Sequence, residues 1–348
     1  MATKALFNTV VNWFIRQRID LIQNFINHPI ETQNGVLFSQ LYHAENTDYG
    51  KIHGFSSISS YDDFCRNVPI VTYEDFEPYI EKARQGQPDV FWPGYIRKFA
   101  KSSGTTNAKS KFIPISEESL EDCHFKAGKD LLSIYANNHP ENSLFSNKNL
   151  RLGGSSELYE DFNTKFGDLS AIMIENLPFW VEITTTPSKK VSLMSEWESK
   201  LKAIVSEVKN EDVGSMTGVP SWMMVLLQRT LADTGKETIA QIWPNLEVFF
   251  HGGISFKPYR DQYRKIIGKD INYYEIYNAS EGFFAIQDQP GSDEMLLMLD
   301  YGIFYEFIPM DKFNPDNLEA IPLQEVEIGK NYAVVITTNS GLWRYLIG

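Results

Sequence analysis

The sequence predicts an α/β fold in which mixed β-sheets are flanked by helices, and two patterns support this class. From residue 246 onward, strand-like and helical runs alternate as strand Leu246–Phe250, helix Phe256–Ile267 and strand Asn272–Tyr277. Earlier, the strand-like runs Tyr95–Ala100 and Phe112–Ile115 flank a short polar loop. Such alternation is typical of layered sheets with helices packed on their faces, rather than of a helical bundle.

Composition limits the function classes that fit this chain. Its 348 residues, 43% of them hydrophobic, can bury the core of one large domain or of two ordinary ones. A formal net charge of −13 works against binding to nucleic acid or to an anionic membrane, so we expect neither partner. Cys65 and Cys123 are too far apart in the chain for a local disulfide or cysteine metal site, which fits the reducing cytoplasm.

The N-terminal part of the chain is predicted to be helical. Met1–Ile30 reads as an amphipathic helix, because charged residues such as Arg18 interrupt its apolar positions. A continuous apolar run of about 18 residues does not occur, so the sequence argues against a secretion signal and a membrane span. The next two predicted helices are Gln33–Asn46 and Glu74–Gln85, the second capped by Thr72 and ended by Gly86.

The loop between the first two predicted strands is a candidate phosphate site. It carries four hydroxyl side chains, which belong to Ser102, Ser103, Thr105 and Thr106. These flank Gly104, whose missing Cβ lets its N–H face an anion, and Lys109 and Lys111 add positive charge. The loop lacks the Walker A pattern, so binding would depend on hydroxyls and backbone N–H groups rather than on a helix dipole. A solvated hairpin turn, which the same residue types form, is the alternative.

Between this loop and residue 246, the sequence predicts three further helices. They are Glu117–Ala136, capped by Ser116, a helix that follows the capping box Ser195–Glu198, and Val219–Asp233. Met223 and Met224 in the third helix favour a core position, and a substrate-pocket wall is the less common alternative. Asn137–Asn149 is rich in turn residues, and Arg151–Ser156 predicts a strand end that leads into a Gly-Gly-Ser-Ser loop.

Polar loops at predicted strand ends form the third observation. Additional strands are predicted at Phe283–Gln287, Met295–Leu299, Ile303–Ile308 and Tyr332–Thr337. With these in place, three polar segments each follow a strand: Ser102–Thr106, Tyr277–Gly282 and Trp343–Gly348. These three polar segments are the candidate functional loops of the chain.

Taken together, the three segments resemble the loops of the adenylate-forming enzymes: acyl-CoA synthetases, luciferases and the adenylation domains of peptide synthetases. Those loops read Ser-Gly-Thr-Thr, Tyr-Gly-x-Thr-Glu and Tyr-x-x-Gly-Asp. Asn67–Gly86 and Gly218–Trp222 are more closely similar to one branch, the Gretchen Hagen auxin-responsive family of acyl acid amido synthetases. The resemblance covers nearly the whole chain. It implies that residues 1–348 are the large N-terminal domain of an adenylate-forming enzyme, with a smaller β-barrel-like part.

The resemblance also implies an activity. The family members are ligases that use ATP and Mg²⁺ to convert a small carboxylic acid into an acyl adenylate, which then reacts with an amino acid. The implied partners of this chain are therefore those two small substrates. Positioning and electrostatic stabilisation of developing charge would provide most of the catalysis.

Individual residues match the family motifs. Tyr277 matches a tyrosine that lies against the adenine, Ser280 a hydroxyl that contacts phosphate, and Glu281 the carboxylate that holds Mg²⁺. On this basis Thr105, Thr106 and Glu281 are the predicted catalytic residues. The predicted nucleotide contacts are Ser102, Ser103, Gly104, Thr105, Thr106, Lys109, Gly252, Gly253, Tyr277, Ser280, Arg344 and Tyr345.

Two departures from the family pattern are visible. Asn107 and Ala108 replace a Gly-rich continuation, and no Pro-Lys-Gly follows, which separates the chain from the acyl-CoA synthetases. The sequence ends at Gly348, where the ribose-binding Asp of the family would come next. We therefore expect the small C-terminal lid to be absent, and the 348-residue chain to bind nucleotide weakly and turn over poorly.

Alternative readings are a hydrolase, a nucleotide-binding module without catalysis, and an adenylate-forming enzyme with another acceptor. His251-Gly252-Gly253 is similar to an esterase oxyanion loop, and Ser280 lies in a near match to a nucleophile elbow. However, no histidine follows His251 to complete the triad of such an enzyme. We interpret His251 as structural, and the other histidines lack metal-ligand spacing. For Glu281 alone, an exposed turn carboxylate remains the alternative.

Overall fold

A computed structural model of the protein describes residues 15, 17–102, 110–154 and 158–347. Within those residues the strands are β1 Lys98–Ser102, β2 Lys111–Ile115, β3 Lys148–Leu152, β4 Leu158–Asp161, β5 Thr164–Gly167, β6 Thr185–Thr186, β7 Val213–Gly218, β8 Val248–Gly252, β9 Asn272–Ala279, β10 Gly282–Ile286, β11 Leu296–Leu297, β12 Ile303–Pro309, β13 Ile321–Pro322, β14 Tyr332–Thr338 and β15 Tyr345–Leu346. The predicted α/β class is confirmed.

Helices connect and cover these strands. Residues 17–27 are helical. The helices that follow are α1 Pro29–Ala44, α2 Asp48–Ile52, α3 Tyr61–Asn67, α4 Tyr73–Arg84, α5 Glu117–Ser119, α6 Lys126–Asn138, α7 Leu169–Glu175, α8 Phe179–Thr184, α9 Lys189–Ser192, α10 Trp197–Val208, α11 Pro220–Thr234 and α12 Arg260–Ile267, with a π-helical turn at Leu120–Phe125 joining α5 to α6. Among the described helices, none combines the length and the apolar content needed to cross a bilayer.

The largest sheet positions the candidate site. It has seven strands in the order β11-β10-β9-β8-β7-β3-β6, of which β6, β3, β7, β8 and β9 run parallel. Its register pairs Leu152 with Gly218, Gly218 with His251, and Gly252 with Ile276. The carboxyl ends of four neighbouring strands, β3, β7, β8 and β9, therefore lie along one edge, where parallel sheets place their ligands.

Two smaller sheets carry the other predicted loops. In the first, of order β2-β1-β5-β4, β1 and β2 are antiparallel, so residues 103–109 connect a β-hairpin, as the flanking patterns predict. In the second, the antiparallel sheet β13-β12-β14-β15 forms the smaller β part of the fold. A parallel bridge between Val71 and Tyr345 links the start of α4 to β15.

The core consists of two clusters on opposite faces of the large sheet. Helices α10, α11 and α12 cover one face, where Leu150, Met216 and Phe249 pack against buried side chains such as Met223. Met223 and Met224 are both buried, which confirms the core assignment. The other face packs against α6 and the two smaller sheets, so the aromatic-rich second cluster joins all three sheets.

Local signals located most helices within a few residues. Thr72 forms the predicted cap of α4, in a capping box with Asp75, and Ser116 accepts a hydrogen bond from the Ser119 N–H at 2.9 Å. For α10 the cap is Glu196 rather than Ser195, because the Glu196 carboxylate accepts from two N–H groups of the first turn, which a serine hydroxyl one residue earlier cannot reach. The patterns missed β7 and the β4–β5 hairpin.

Candidate active site

Glycines at the carboxyl edge of the large sheet let neighbouring strands approach closely. A Cβ on Gly252 would lie 2.5 Å from the carbonyl oxygen of Ile276, and one on Gly218 would lie 2.9 Å from that of Leu152. Gly253 has a φ of +82°, a left-handed conformation that glycine adopts without strain. Gly252 is therefore required by the close approach of β9, and of the two predicted glycines only Gly253 is exposed.

The hairpin between β9 and β10 presents the second predicted segment. Ala279 pairs with Gly282, so Ser280 and Glu281 form the two-residue turn at its tip. Tyr277 lies just before this turn and is 43% exposed. The centroid of its ring is 5.0 Å from that of Phe284, and the two rings are tilted by 53°. The contact supports the Tyr277 ring while much of its surface stays open, as stacking on a base requires.

Glu281 is partly buried at the tip of this hairpin. Burial raises the pKa of its carboxyl group, while the positive charge of Lys111 acts in the opposite direction. Lys111 is the first residue of β2 and follows directly on the predicted phosphate loop. The first residue after that loop is therefore near enough for its charge to act on the predicted metal ligand.

The third predicted segment reaches the same place. Tyr345 is fully buried in β15, and its hydroxyl has no hydrogen-bond partner among the described residues. Burial raises the pKa of Tyr345, and the negative charge of Glu281 raises it further. Main-chain hydrogen bonds from Val71 N to Arg344 O and from Leu346 N to Val71 O fix the segment at 3.0 and 2.9 Å. Tyr345 is thus a hydroxyl held close to Glu281.

Sequence reasoning missed one residue near Lys111 and Glu281. Tyr73 opens α4, and its hydroxyl accepts a hydrogen bond of 2.9 Å from the N–H of Phe112. The ammonium of Lys111 lies 5.7 Å from the centroid of the Tyr73 ring. Tyr73 therefore supports the start of β2 and the lysine beside Glu281. In the sequence, Tyr73 belonged to the Asn67–Gly86 stretch that resembles the family and to a capped helix start, and neither signal marked it as a site residue.

The remaining predicted contacts have different outcomes. Ser102 is half-buried at the end of β1, where it pairs with Lys111 across the hairpin. The predicted contacts Ser103, Gly104, Thr105, Thr106 and Lys109 lie outside the described residues. These roles, and the phosphate contact of Ser280, stay predictions.

Arg344 differs from its predicted role as a nucleotide contact. Its guanidinium donates two hydrogen bonds, of 2.8 and 3.0 Å, to the carboxylate of Glu306, which is fully buried. It also donates to the carbonyl oxygens of Val68 at 2.8 Å and Cys65 at 3.3 Å. Because these acceptors occupy the side chain, Arg344 positions the third segment instead of presenting a charge to a ligand.

His251 has the structural role that we inferred. Burial lowers the pKa of its ring to about 3, so the imidazole is neutral at physiological pH. The ring stacks on Phe256 with a centroid distance of 4.1 Å. Ser280, the nucleophile of the hydrolase alternative, lies in a β-hairpin turn and not between a strand and a helix, so the geometry of a nucleophile elbow is missing.

A magnesium ion fits the chemistry of this centre. Among the residues described, no group of three or more histidine, cysteine or carboxylate side chains converges as a preformed metal site. Mg²⁺ does not need one, since it binds through one or two carboxylates together with water and substrate phosphates. Glu281, in the turn between β9 and β10, is a carboxylate of the kind that such an ion binds.

Sequence comparisons match this chain to one family. The GH3 family N-terminal domain matches residues 18–271, and the GH3 family central domain matches residues 296–348. The jasmonoyl–L-amino acid synthetase JAR4 of Nicotiana attenuata is 27% identical over 87% of this chain and 63% of its own length. The indole-3-acetic acid-amido synthetase GH3.2 of Arabidopsis thaliana is 23% identical over 95% of this chain and 72% of its own.

Solved structures show the same fold. The GH3.15 acyl acid amido synthetase superposes with a TM-score of 0.77 at 17% identity, over 95% of this chain and 66% of that one. A 2-hydroxyisobutyryl-CoA ligase superposes with a TM-score of 0.59 at 15% identity, over 92% of this chain and 62% of that one. The chain thus spans a little under two thirds of the length of several of the proteins it matches.

Proposed function

Because this chain belongs to the GH3 family, we propose that it converts a small carboxylic acid into an acyl adenylate with ATP and transfers the acyl group to an amino acid. Relatives named as amido synthetases of jasmonate and of indole-3-acetic acid support this reaction class. The observation that supports the proposal is that Lys111, beside the first predicted segment, and Tyr345, in the third, both interact electrostatically with Glu281 in the second.

In the first proposed step, a carboxylate oxygen of the acid attacks the α-phosphorus of ATP. The bond from that phosphorus to the bridging oxygen of pyrophosphate breaks, and pyrophosphate leaves with the electron pair. Tyr277 and the Gly252-Gly253 backbone hold the adenine, while Ser280 and the hydroxyls of the loop after β1 hold phosphate oxygens. These groups stabilise the charge that spreads over the phosphate in the transition state.

Glu281 is the proposed ligand of Mg²⁺. The ion would supply positive charge to the phosphate oxygens when it is bound. Lys111 lies on the same side as the phosphate loop, and its ammonium offsets part of the negative charge near Glu281. Tyr345 offers a buried hydroxyl donor at the same point, which suits an anionic oxygen of the nucleotide.

In the second proposed step, the amine nitrogen of the amino acid attacks the acyl carbon. A tetrahedral intermediate forms, the bond to the phosphate oxygen of AMP breaks, and the amine gives up a proton to complete the amide. On its cysteine content, we also propose that the protein works in the cytoplasm.

Acid-dependent exchange of labelled pyrophosphate into ATP tests the proposal. Exchange that appears only with a suitable acid, and that Glu281→Gln abolishes, is the expected result. Glu325→Gln is the matched control, because Glu325 is an exposed turn residue away from the site. A protein that binds ATP yet shows no exchange with any acid of a broad panel would instead be a nucleotide-binding module.

A further inference from the structure

One face of the large sheet is polar where parallel sheets are normally apolar. The side chains of Leu150, Leu152 and Met216 in β3 and β7 pack into a hydrophobic cluster. The residues between them face the other way, and they are Asn149, Arg151, Ser215 and Thr217. Because strands buried on both faces usually read as continuous apolar runs, a polar face in the middle of the sheet indicates a surface built for a ligand.

The neutral members of this polar face are hydrogen-bonded to one another. The Asn149 side-chain amide donates to Ser215 Oγ at 2.9 Å and to Thr217 Oγ1 at 3.1 Å. Ser215 is buried, whereas Asn149 and Thr217 keep partial exposure. These hydrogen bonds order the polar face across the two strands β3 and β7.

Arg151 is the fourth member of this polar face, and its guanidinium lacks hydrogen-bond partners among the described residues. Its Nε is fully enclosed and has no acceptor, and its guanidinium makes no hydrogen bond or ion pair with the described part of the chain. Burial lowers the pKa of Arg151 to about 10, and Glu182 is the one carboxylate whose charge opposes this effect. The Glu182 carboxylate is itself 3.5 Å from the ammonium of Lys189. An arginine withdrawn from water without a partner is costly, so its retention points to an anion that arrives with a ligand.

The position of Arg151 suits a substrate of the proposed reaction. It pairs with Thr217 and precedes the carboxyl end of β3, on the edge that carries the Gly252-Gly253 loop. Neighbouring strands lie about 4.8 Å apart, so β3 is roughly 14 Å from β9, which carries Tyr277. That separation is comparable to the length of a small organic substrate that extends away from the nucleotide.

We propose that Arg151 binds a carboxylate that belongs to one of the two organic substrates and does not react. A guanidinium and a carboxylate form two parallel charge-assisted hydrogen bonds, and the Thr217 hydroxyl lies on the same polar face. The carboxylate belongs either to a dicarboxylic acid whose other end is adenylated or to the amino acid acceptor. The inference rests on the proposed function for the identity of these substrates, but not for the presence of an anion site.

Calorimetric titration of the full chain with AMP present tests the site. The probes are succinate, glutarate and adipate against monocarboxylates of equal chain length, and amino acids against their carboxamides. Arg151→Met is expected to weaken binding of the carboxylate-rich member of one of these pairs at least about tenfold, while leaving the other member unchanged. The pair that responds identifies the source of the carboxylate. Arg229→Met is the control, since Arg229 lies on the surface in an exposed ion pair with Glu198.

A second measurement separates a binding role from a structural one. Without ligand, Arg151→Met is expected to raise the melting temperature, because the variant removes an unpaired charge from a partly buried position. A lower melting temperature, equal weakening of all probes, or no binding of any probe would each overturn the inference. If ATP fails to bind but Arg151 still binds carboxylates, the proposed function is wrong and the inference about Arg151 stands. If ATP binds and Arg151→Met does not change the affinity for any carboxylate probe, the inference about Arg151 is wrong and the proposed function stands.

Discussion

At the scale of the residue, Glu281 shows how a site residue differs from a surface carboxylate. It lies in a two-residue turn, where an acid is usually solvated, yet it is partly buried and burial raises its pKa. A backbone hydrogen bond and the positive charge of Lys111 are what favour the negative charge at this position. A carboxylate held partly out of water gains more from a bound cation than a fully hydrated one does.

This environment predicts a pH dependence of stability. Because the pKa of Glu281 is raised in the folded protein, the folded state keeps the proton to a higher pH than the unfolded chain does. The free energy of unfolding of the wild type is therefore expected to fall, relative to Glu281→Gln, as the pH rises through and above 4.5, the ordinary value for this group. Urea unfolding of both proteins at several pH values measures the difference. A difference that does not vary with pH would contradict the burial of this carboxylate.

At the scale of the element, the short strand β15 depends on a side chain from another strand. Arg344 has a φ of +42°, which is unfavourable for a residue with a side chain, and its guanidinium is held by Glu306 in β12. The pair is almost completely enclosed, with side-chain exposures of 6% and 0%. The ion pair thus holds β15, and with it Tyr345, next to Glu281.

Breaking this pair is expected to be costly. Glu306→Gln leaves the Arg344 charge without its counter-charge, which should reduce the free energy of unfolding by about 3 to 5 kcal/mol. Combining Glu306→Leu with Arg344→Met should cost less than either single change, because no buried charge remains. Chemical denaturation of the single and double variants measures the coupling. Additive effects would show that the two side chains act independently.

The same element shows what local patterns reveal and what they do not. Caps and apolar spacing located α4 and α6, because those signals lie within a few neighbouring residues. The strand β7 was missed, since the small and polar residues on its second face, Ser215 and Thr217, hide the apolar pattern. Arg344 was predicted as a ligand contact from its place in the third motif, and its partner Glu306, 38 residues away in sequence, was not visible to local patterns. The strand order of the large sheet is likewise set by long-range pairing, which no local pattern reports.

At the scale of the whole molecule, a buried ion network joins the N-terminal helix to the centre of the protein. Arg18 donates to Asp130 in α6 at 2.6 Å and to Asp300 at 2.6 Å, and the Tyr301 hydroxyl donates to Asp130 at 2.7 Å. Lys126 also pairs with Asp300 at 3.0 Å. In the sequence, Arg18 only interrupted an apolar run, and the structure shows that the interruption has a function in packing.

Removing the arginine from this network should loosen the N-terminal helix. In Arg18→Met the nearly fully buried carboxylate of Asp130 loses its cationic partner. This should reduce the free energy of unfolding by about 3 kcal/mol. Arg66→Met is the control, because Arg66 lies on the surface in a local pair with Asp63. Hydrogen exchange of residues 17–27, together with thermal unfolding, measures the effect. Equal stability of the two variants would show that the network does not hold the helix.

The proposal that Glu281 holds Mg²⁺ at the nucleotide site is most directly tested by calorimetric titration of ATP with and without Mg²⁺. The wild type and Glu325→Gln are expected to bind ATP more tightly when Mg²⁺ is present. Glu281→Gln is expected to lose at least about tenfold in affinity with Mg²⁺ and little without it, and its melting temperature is expected not to fall. A variant that binds Mg²⁺–ATP like the wild type would contradict the assignment of the site.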